Sequence, residues 1–305
     1  MKGFENFFHV FEEVRKYPKQ RVCIAAAEEE TVLQAVREAL KEQVADITLI
    51  GNEEKIWRLA MTCGLNLQEV EIIHAAAPLD AVQKAVQLVE DTKADILMKG
   101  MVNSKDFIKT ILKSDKLRRG KLLSHLAAYE IPGYYRLIFM TDGGLNVKPN
   151  LQEKSAILEN ALDFLHTIGL SRPKVAILSS NEKVDPRIQS TVDAFELKKA
   201  SQEGMFKDAV IDGPIALDVA ISYEASLRKG IDSPLAGLSD LLFVPNIEGG
   251  NLLGKAIIFF ASGRMAGLVL GASNPIVLTS RNEPSHGKVA SIALAAYYMI
   301  KKQKG

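Results

Sequence analysis

Short apolar runs rich in Val, Ile and Leu alternate along the chain with longer stretches whose apolar residues return at helical spacing. RVCIAAA, DITLIG, VEIIH and ADILMKG read as strands, and ETVLQAVREALKE, EEKIWRLAMTC and APLDAVQKAVQLVED between them read as helices. That is a βαβ series, the pattern of an α/β fold with mostly parallel sheets. In APLDAVQKAVQLVED, Leu79, Val82, Val86 and Val89 line one face and leave Gln83, Lys84, Gln87 and Glu90 for water. After IPGYYRL the alternation restarts with RLIFMTD, a helix around Leu151 to Ile168, KVAILSS, a helix around Arg187 to Lys199, DAVIDGP, another helix, DLLFVPN, GLVLG and PIVLTS. Two α/β domains are expected, 1–133 and 134–284, with a cleft between lobes where such proteins bind ligands. A final helix, 285–305, follows the last strand directly, and the pattern leaves open which lobe it joins.

Two stretches sharpen the pattern. In MKGFENFFHVFEEV, Phe4, Phe7, Phe8, Phe11 and Val14 share one helical face. In DLLFVPNIEGGNLLGKAIIFF, the segment GGNLLGKA fits a phosphate-binding P-loop in all but its last position, where Ala256 replaces the Ser or Thr whose hydroxyl holds Mg²⁺. Leu252, Leu253, Ala256, Ile257 and Phe260 instead suit the inner face of a helix already under way, which leaves the P-loop reading weak.

Composition narrows the function classes. The 305 residues are 47% apolar and 25% charged, ordinary for a globular protein. Lys+Arg 38 against Asp+Glu 37 gives no electrostatic footprint for nucleic acid. Cys23 and Cys63 lie in apolar segments without metal-like spacing, as free thiols in a reducing, cytoplasmic setting do. The glutamates near the N-terminus interrupt any signal-peptide core, and the most apolar window, Leu252 to Leu270, carries Lys255, Arg264 and three glycines, so no membrane span is expected.

Chemistry in a doubly wound sheet gathers just beyond strand ends, and four such loops are polar: Met98–Asp106, Thr141–Pro149, Asn246–Lys255 and Ser280–Lys288. The last places Ser280 and Arg281 at a strand end, ahead of a helix opened by Pro284 and Ser285 whose free N–H groups favour an anion. A guanidinium there grips phosphate bidentately; the alternative is a helix cap with a surface Arg. Lys99 and Lys255 each follow a strand and border glycine. The basic run Lys113 to Lys121 reads as a solvated loop. His9, His74, His125, His166 and His286 form no HExxH or HxxxH pair, and no CxxC, GxSxG or GxGxxG occurs. His125 reads as a core or interface histidine, while His286 draws interest by its place beside Arg281.

Taken in order, ADILMKG with NSKDFIK, TDGGLNVKP, IDGPIALDVAIS, AGLSDLLFVPNIEGGNLLGKA and PIVLTSR resemble the phosphate acetyltransferase and phosphate butyryltransferase family over nearly the whole chain. MKG in place of the acetyl enzymes' Ser-Gly leans toward the butyryl branch. The resemblance implies a two-domain fold like the isocitrate and isopropylmalate dehydrogenases, with the final helix returning to the first lobe, and a homo-oligomer. It also implies the reaction acyl-CoA + phosphate ⇌ acyl phosphate + CoA without metal or nucleotide cofactor, acyl-CoA being a substrate. By matching position, Ser280 would hydrogen-bond the reacting carbonyl and Arg281 the phosphoryl group, with His286 as a further catalytic candidate. Lys99, Gly100, Lys109, Gly250, Asn251, Lys255 and Glu283 would contact substrate, with Gly250 and Asn251 in a Gly-Asn turn. Lys109 aligns with an Arg of many relatives only after a one-residue shift. Acetyl-type relatives carry an Asp seven residues beyond the Ser; Gly287 stands there, leaving His286, Glu283 or electrostatics alone to activate the thiol. Two other classes compete. A nicotinamide-dependent dehydrogenase of the isocitrate or 4-hydroxythreonine-phosphate type would share the architecture, and a non-catalytic CoA or acyl-phosphate sensor would share the loops.

Overall fold

The structure, a computed structural model, describes residues 3–118, 120–280 and 283–304; Arg281 lies outside them. In chain order the elements are α1 (Phe7–Val14), β1 (Gln20–Ala25), α2 (Glu30–Lys41), β2 (Ala45–Gly51), α3 (Glu53–Cys63), β3 (Glu71–His74), α4 (Pro78–Glu90), β4 (Ile96–Lys99), α5 (Ser104–Leu112) and α6 (Asp115–Arg118). There follow β5 (Ser124–Glu130), β6 (Ile138–Thr141), α7 (Leu151–Thr167), β7 (Lys174–Leu178), α8 (Gln189–Gln202), β8 (Val210–Ile215), α9 (Leu217–Ile221), α10 (Tyr223–Lys229), β9 (Leu241–Phe243) and α11 (Ile247–Phe260). The chain closes with β10 (Arg264–Leu270), β11 (Ile276–Val277) and α12 (Ser285–Lys302).

These form two compact units. One comprises Asn6–Leu123 with Arg264–Gly305, the other Met1–Glu5 with Ser124–Gly263. In the first, which holds both chain ends of the helical and strand elements, the strands run β3-β2-β1-β4-β11-β10. All are parallel except the β10–β11 pair. Val22, Cys23, Ile24 and Ala25 of β1 are buried together, as expected of a central parallel strand covered on both faces. Local signals set the helix ends: Asn52 caps α3 through Lys55 N at 3.0 Å, and Gly64 closes it in the left-handed conformation at φ 64. Helix α12 packs on α1, α2 and β10. Ser291 fixes it there, accepting from Gly267 N at 2.9 Å while donating to Gly287 O at 2.7 Å.

In the second unit the order is β5-β6-β9-β7-β8, parallel except for β5 against β6. Helix α7 opens with a capping box in which Asn150 and Glu153 each bond the other's backbone N–H. Asp240 ties three strands: its carboxylate pairs with Arg136 and accepts from Lys174 N at 2.8 Å, while its carbonyl accepts from Phe139 N at 2.9 Å.

The unit boundaries fall at 123/124 and 263/264, where the sequence pattern placed them at 133/134 and 284/285. The reason is pairing. SHLAAYE forms β5 against β6, and β11 pairs with β4, so β10 and β11 go with the first unit. Phe4 does not share the α1 face; it precedes the helix and accepts from Leu137 N at 2.8 Å in the second unit. Phe8 is 56% exposed, and the buried stripe of α1 is Phe7, Val10 and Val14. Leu79 is likewise half exposed, its place in the core of α4 taken by Ala81 and Ala85 beside Val82, Val86 and Val89.

Candidate active site

Strands β1, β4 and β11 are mutually parallel, so their carboxyl ends and the loops that follow share one edge of the first unit's sheet. There Lys99 ends β4, paired with Ala25, and Ser280 follows three residues after Val277, which pairs with Met98. That is the edge where open α/β sheets bind ligands. Gly100 is demanded by crowding: a Cβ there would lie 2.2 Å from Ala26 O, and its N–H donates to Ala25 O at 2.8 Å. Lys99 is buried, its ammonium donating to Gly100 O and Val102 O at 3.1 Å, so it braces its own loop.

The loop from Ser280 into α12 is organised by a residue the sequence pattern did not single out. Lys288 is 2% exposed, and its Nζ donates to Glu283 O at 2.6 Å and to Ser280 O at 3.4 Å. Glu283 N in turn donates to Ser280 O at 3.1 Å. The signal was present: Lys288 falls in the buried register of VASIALAA, and a lysine there needs partners. Burial pushes the Lys288 ammonium down from its ordinary range, while Glu29, from the loop after β1, and Glu283 pull it back up. Burial pushes the Glu283 carboxyl up to about 7, Lys288 working against that shift. The Glu283 carboxylate lies directly over Gly287, whose hypothetical Cβ would meet Glu283 Oε1 at 2.1 Å. Gly287 is therefore the residue that makes room for it.

His286 goes elsewhere. It is exposed and lines a cavity of about 600 Å³ with Phe7, Phe8 and Phe11 of α1, Arg37 of α2 and Arg264. Its neighbour Ser285 donates to Glu38 Oε1 at 2.9 Å. Lys109 stands on the exposed side of α5, opposite Phe107 and Ile111, with no partner among the described residues.

Gly250, Asn251 and Lys255 belong to the second unit, and there the expected Gly-Asn turn is helix. Asn246 is the cap, its Oδ1 accepting from Gly249 N at 2.9 Å, and α11 runs through the whole of GGNLLGK. The P-loop likeness has no structural counterpart. The inner face of α11 is also not Leu252, Leu253, Ala256 and Phe260: it is Gly250, Gly254 and Ile257. Leu252 and Phe260 are 70% and 92% exposed. Gly250 packs on Gly143, where an added Cβ would be 2.5 Å from Gly143 Cα, and Gly254 packs on the Tyr129 hydroxyl. Asn251 and Lys255 lie on the exposed side.

Beside α11, the TDGGLN loop winds around Asp142. Its carboxylate accepts from His125 N at 3.0 Å, Gly144 N at 3.0 Å, Leu145 N at 2.9 Å, and Asn146 N and Nδ2 at 3.4 and 2.6 Å. His125 is a core residue; burial lowers its pKa, against the pull of Asp142.

Among the described residues no group of three or more His, Cys, Asp or Glu is arranged to hold a metal ion. Nor, among the described residues, is any helix long and apolar enough to cross a membrane.

The sequence matches the family described as phosphate acetyl/butaryl transferase over residues 7–78 and 74–296. The chain belongs to this family. It is 39% identical over 293 residues to a phosphate butyryltransferase of Clostridium acetobutylicum, covering 96% of this chain and 97% of that protein. A phosphate acetyltransferase of Thermotoga maritima is 36% identical over 96% of this chain and 99% of its own length. Among solved structures, a branched-chain phosphotransacylase from Enterococcus faecalis superposes with TM-score 0.83 at 31% identity, over 92% of this chain and 99% of that one. A 4-hydroxythreonine-4-phosphate dehydrogenase from Salmonella typhimurium gives 0.56 at 13% identity over 92% of this chain and 100% of that one, a likeness of fold alone.

Proposed function

We propose that this chain catalyses acyl-CoA + phosphate ⇌ acyl phosphate + CoA on short-chain acyl groups, butyryl preferred. As a family member it is an acyltransferase. The observation that carries the reading is its near full-length likeness to phosphate butyryltransferases, together with the position of Ser280 at the ligand-binding edge of a parallel sheet. In this reading Ser280 hydrogen-bonds the reacting carbonyl as it becomes an oxyanion, and Arg281 binds the phosphoryl group. Preorganised donors and cations are what a tetrahedral transition state between a thioester and phosphate needs. Acyl-CoA and phosphate are substrates, and no separate cofactor is invoked. The dehydrogenase-like arrangement belongs to the same reading, supported by the shared fold.

A homo-oligomer and a cytoplasmic setting are part of it too. Helix α11 presents Leu252, Phe259 and Phe260 to solvent, an apolar patch of the kind that marks a protein interface, and both cysteines are free thiols.

The test is CoA release from acetyl-, butyryl- and branched acyl-CoA side by side, with and without phosphate, in wild type and Arg281→Ala, with sedimentation of the same preparation. Phosphate-dependent release, fastest with butyryl-CoA and at least roughly tenfold slower in the variant, is expected for loss of one transition-state charge contact. CoA binding without release would leave a sensor, and a variant as fast as wild type would remove Arg281 from the site.

A further inference from the structure

Because Gly287 has no side chain, the carboxylate of Glu283, which precedes the Pro284 cap of α12, occupies the space above Gly287 in the helix's first turn. Glu283 is buried, yet its carboxylate makes no hydrogen bond to any described residue. A buried carboxylate left without a donor is expensive unless something compensates it. Among the described residues, the charged group that acts on it is Lys288 on α12, on which Glu29 from the loop after β1 acts in turn; His286 lines the separate cavity by α1. Lys288 spends its two hydrogen bonds on the carbonyls of Ser280 and Glu283, which holds the loop while leaving the carboxylate able to accept a proton.

We propose that Glu283 is the general base that takes the proton from the CoA thiol, and the acid that returns it, in the acyl transfer proposed above. The proposal rests on that reading of the reaction. In the direction of thioester synthesis the S–H proton passes to a Glu283 carboxylate oxygen. The thiolate forms the C–S bond at the acyl carbon, the bond from that carbon to the phosphate oxygen breaks, and phosphate leaves with the electron pair. In reverse, a phosphate oxygen attacks the thioester and Glu283 protonates the departing thiolate. The proton affinities suit the exchange: a thiol titrates on the order of 8.5, and a base works best when its own value lies near the working pH. With burial setting Glu283 at about 7, the carboxylate is ionised in a large fraction of molecules at neutral pH.

The experiment follows thioester synthesis from butyryl phosphate and CoA across pH 5.5 to 9 in wild type, Glu283→Gln, Glu283→Ala, His286→Ala and the double variant Glu283→Ala with Gly287→Asp. Wild type should show kcat/KM rising through about pH 7, as Glu283 ionises, with the opposite slope in phosphorolysis. Glu283→Gln should lower kcat by about 100-fold or more with little change in KM for CoA and lose the limb, the usual scale for removing a general base. The limb should persist in His286→Ala. Truncating Glu283 frees the space over Gly287, so an Asp introduced there can return a carboxylate to it. The double variant should recover at least roughly tenfold of what Glu283→Ala loses, which restoring a merely structural contact would not do.

Thermal unfolding supplies an independent sign. The Glu283 folded pKa, about 7, lies above the ordinary 4.5, so the folded state holds the proton more tightly. Its contribution is fully present below pH 4.5 and is lost as pH rises to about 7. Glu283→Gln should remove that decline and stand higher relative to wild type at pH 8 than at pH 5. Should Glu283→Gln fold poorly, the double variant decides. Near-normal rates in Glu283→Gln, a retained limb, or no recovery in the double variant overturns the assignment. A wild type that forms no thioester overturns the underlying reaction instead.

Discussion

Lys288→Met is expected to destabilise the protein by about 2 to 4 kcal/mol at pH 8 and by less at pH 6, and to slow turnover by roughly tenfold or more. The methionine fills the volume of a fully buried side chain but donates nothing, so Ser280 O and Glu283 O lose their Nζ partner. It also removes the one cation among the described residues that opposes the upward shift of the Glu283 carboxyl. The pH dependence follows from that. With Lys288 gone, the Glu283 pKa moves further up, so at pH 6 the group stays protonated and neutral at little added cost, while at pH 8 the folded state must either hold a proton against the solvent or bury a charge that no longer has its cation. The pH–rate limb should therefore move to higher pH. Turnover falls because the segment from Ser280 to Glu283 is no longer tethered to α12, and small misplacements at a reacting centre are costly. Denaturant unfolding at the two pH values, with a pH–rate profile, checks both halves. Equal stabilities and an unmoved limb would mean that Lys288 merely fills space.

Asp142→Ala should cost about 3 to 5 kcal/mol, because each donor left unsatisfied in a buried site costs roughly 1 to 3 kcal/mol and part of the loop can relax toward water. The donors at stake are His125 N, Gly144 N, Leu145 N and both nitrogens of Asn146. The loop they hold packs Gly143 against Gly250 at the first turn of α11, so the damage should reach the helix that carries Asn251 and Lys255. Asp142→Asn should lose less, since its amide oxygen still serves the Gly144 and Leu145 donors. Hydrogen exchange at Gly144, Leu145 and the start of α11, read with the unfolding free energy, checks this. Unchanged protection in Asp142→Ala would show that the loop is held by other contacts.

The βαβ series was legible because strands such as β4, β6 and β9, buried along their whole length, leave short uninterrupted apolar runs in the sequence. β5 was not, since SHLAAYE offers alanines and a histidine where strand signals rely on β-branched and aromatic residues. Missing it displaced the boundary between the units. The α11 face was misread for a related reason: a hydrophobicity pattern scores glycine as neutral, whereas Gly250 and Gly254 face inward because nothing larger fits against Gly143 and Tyr129. Ser280 and Glu283 stand out as candidates in the sequence by strand-end position and family likeness. What sequence could not show is that Gly287, which looks like the loss of an acid, is the vacancy that receives the Glu283 carboxylate, because that contact depends on how the chain turns into α12 around Pro284.

The most direct test of the central claim is to supply butyryl-CoA and phosphate labelled with ¹⁸O at every oxygen, and to read the acyl phosphate by mass spectrometry. Attack of a phosphate oxygen on the thioester carbon predicts butyryl phosphate that keeps all of its label, formed one for one with free CoA. CoA released without labelled acyl phosphate would contradict it.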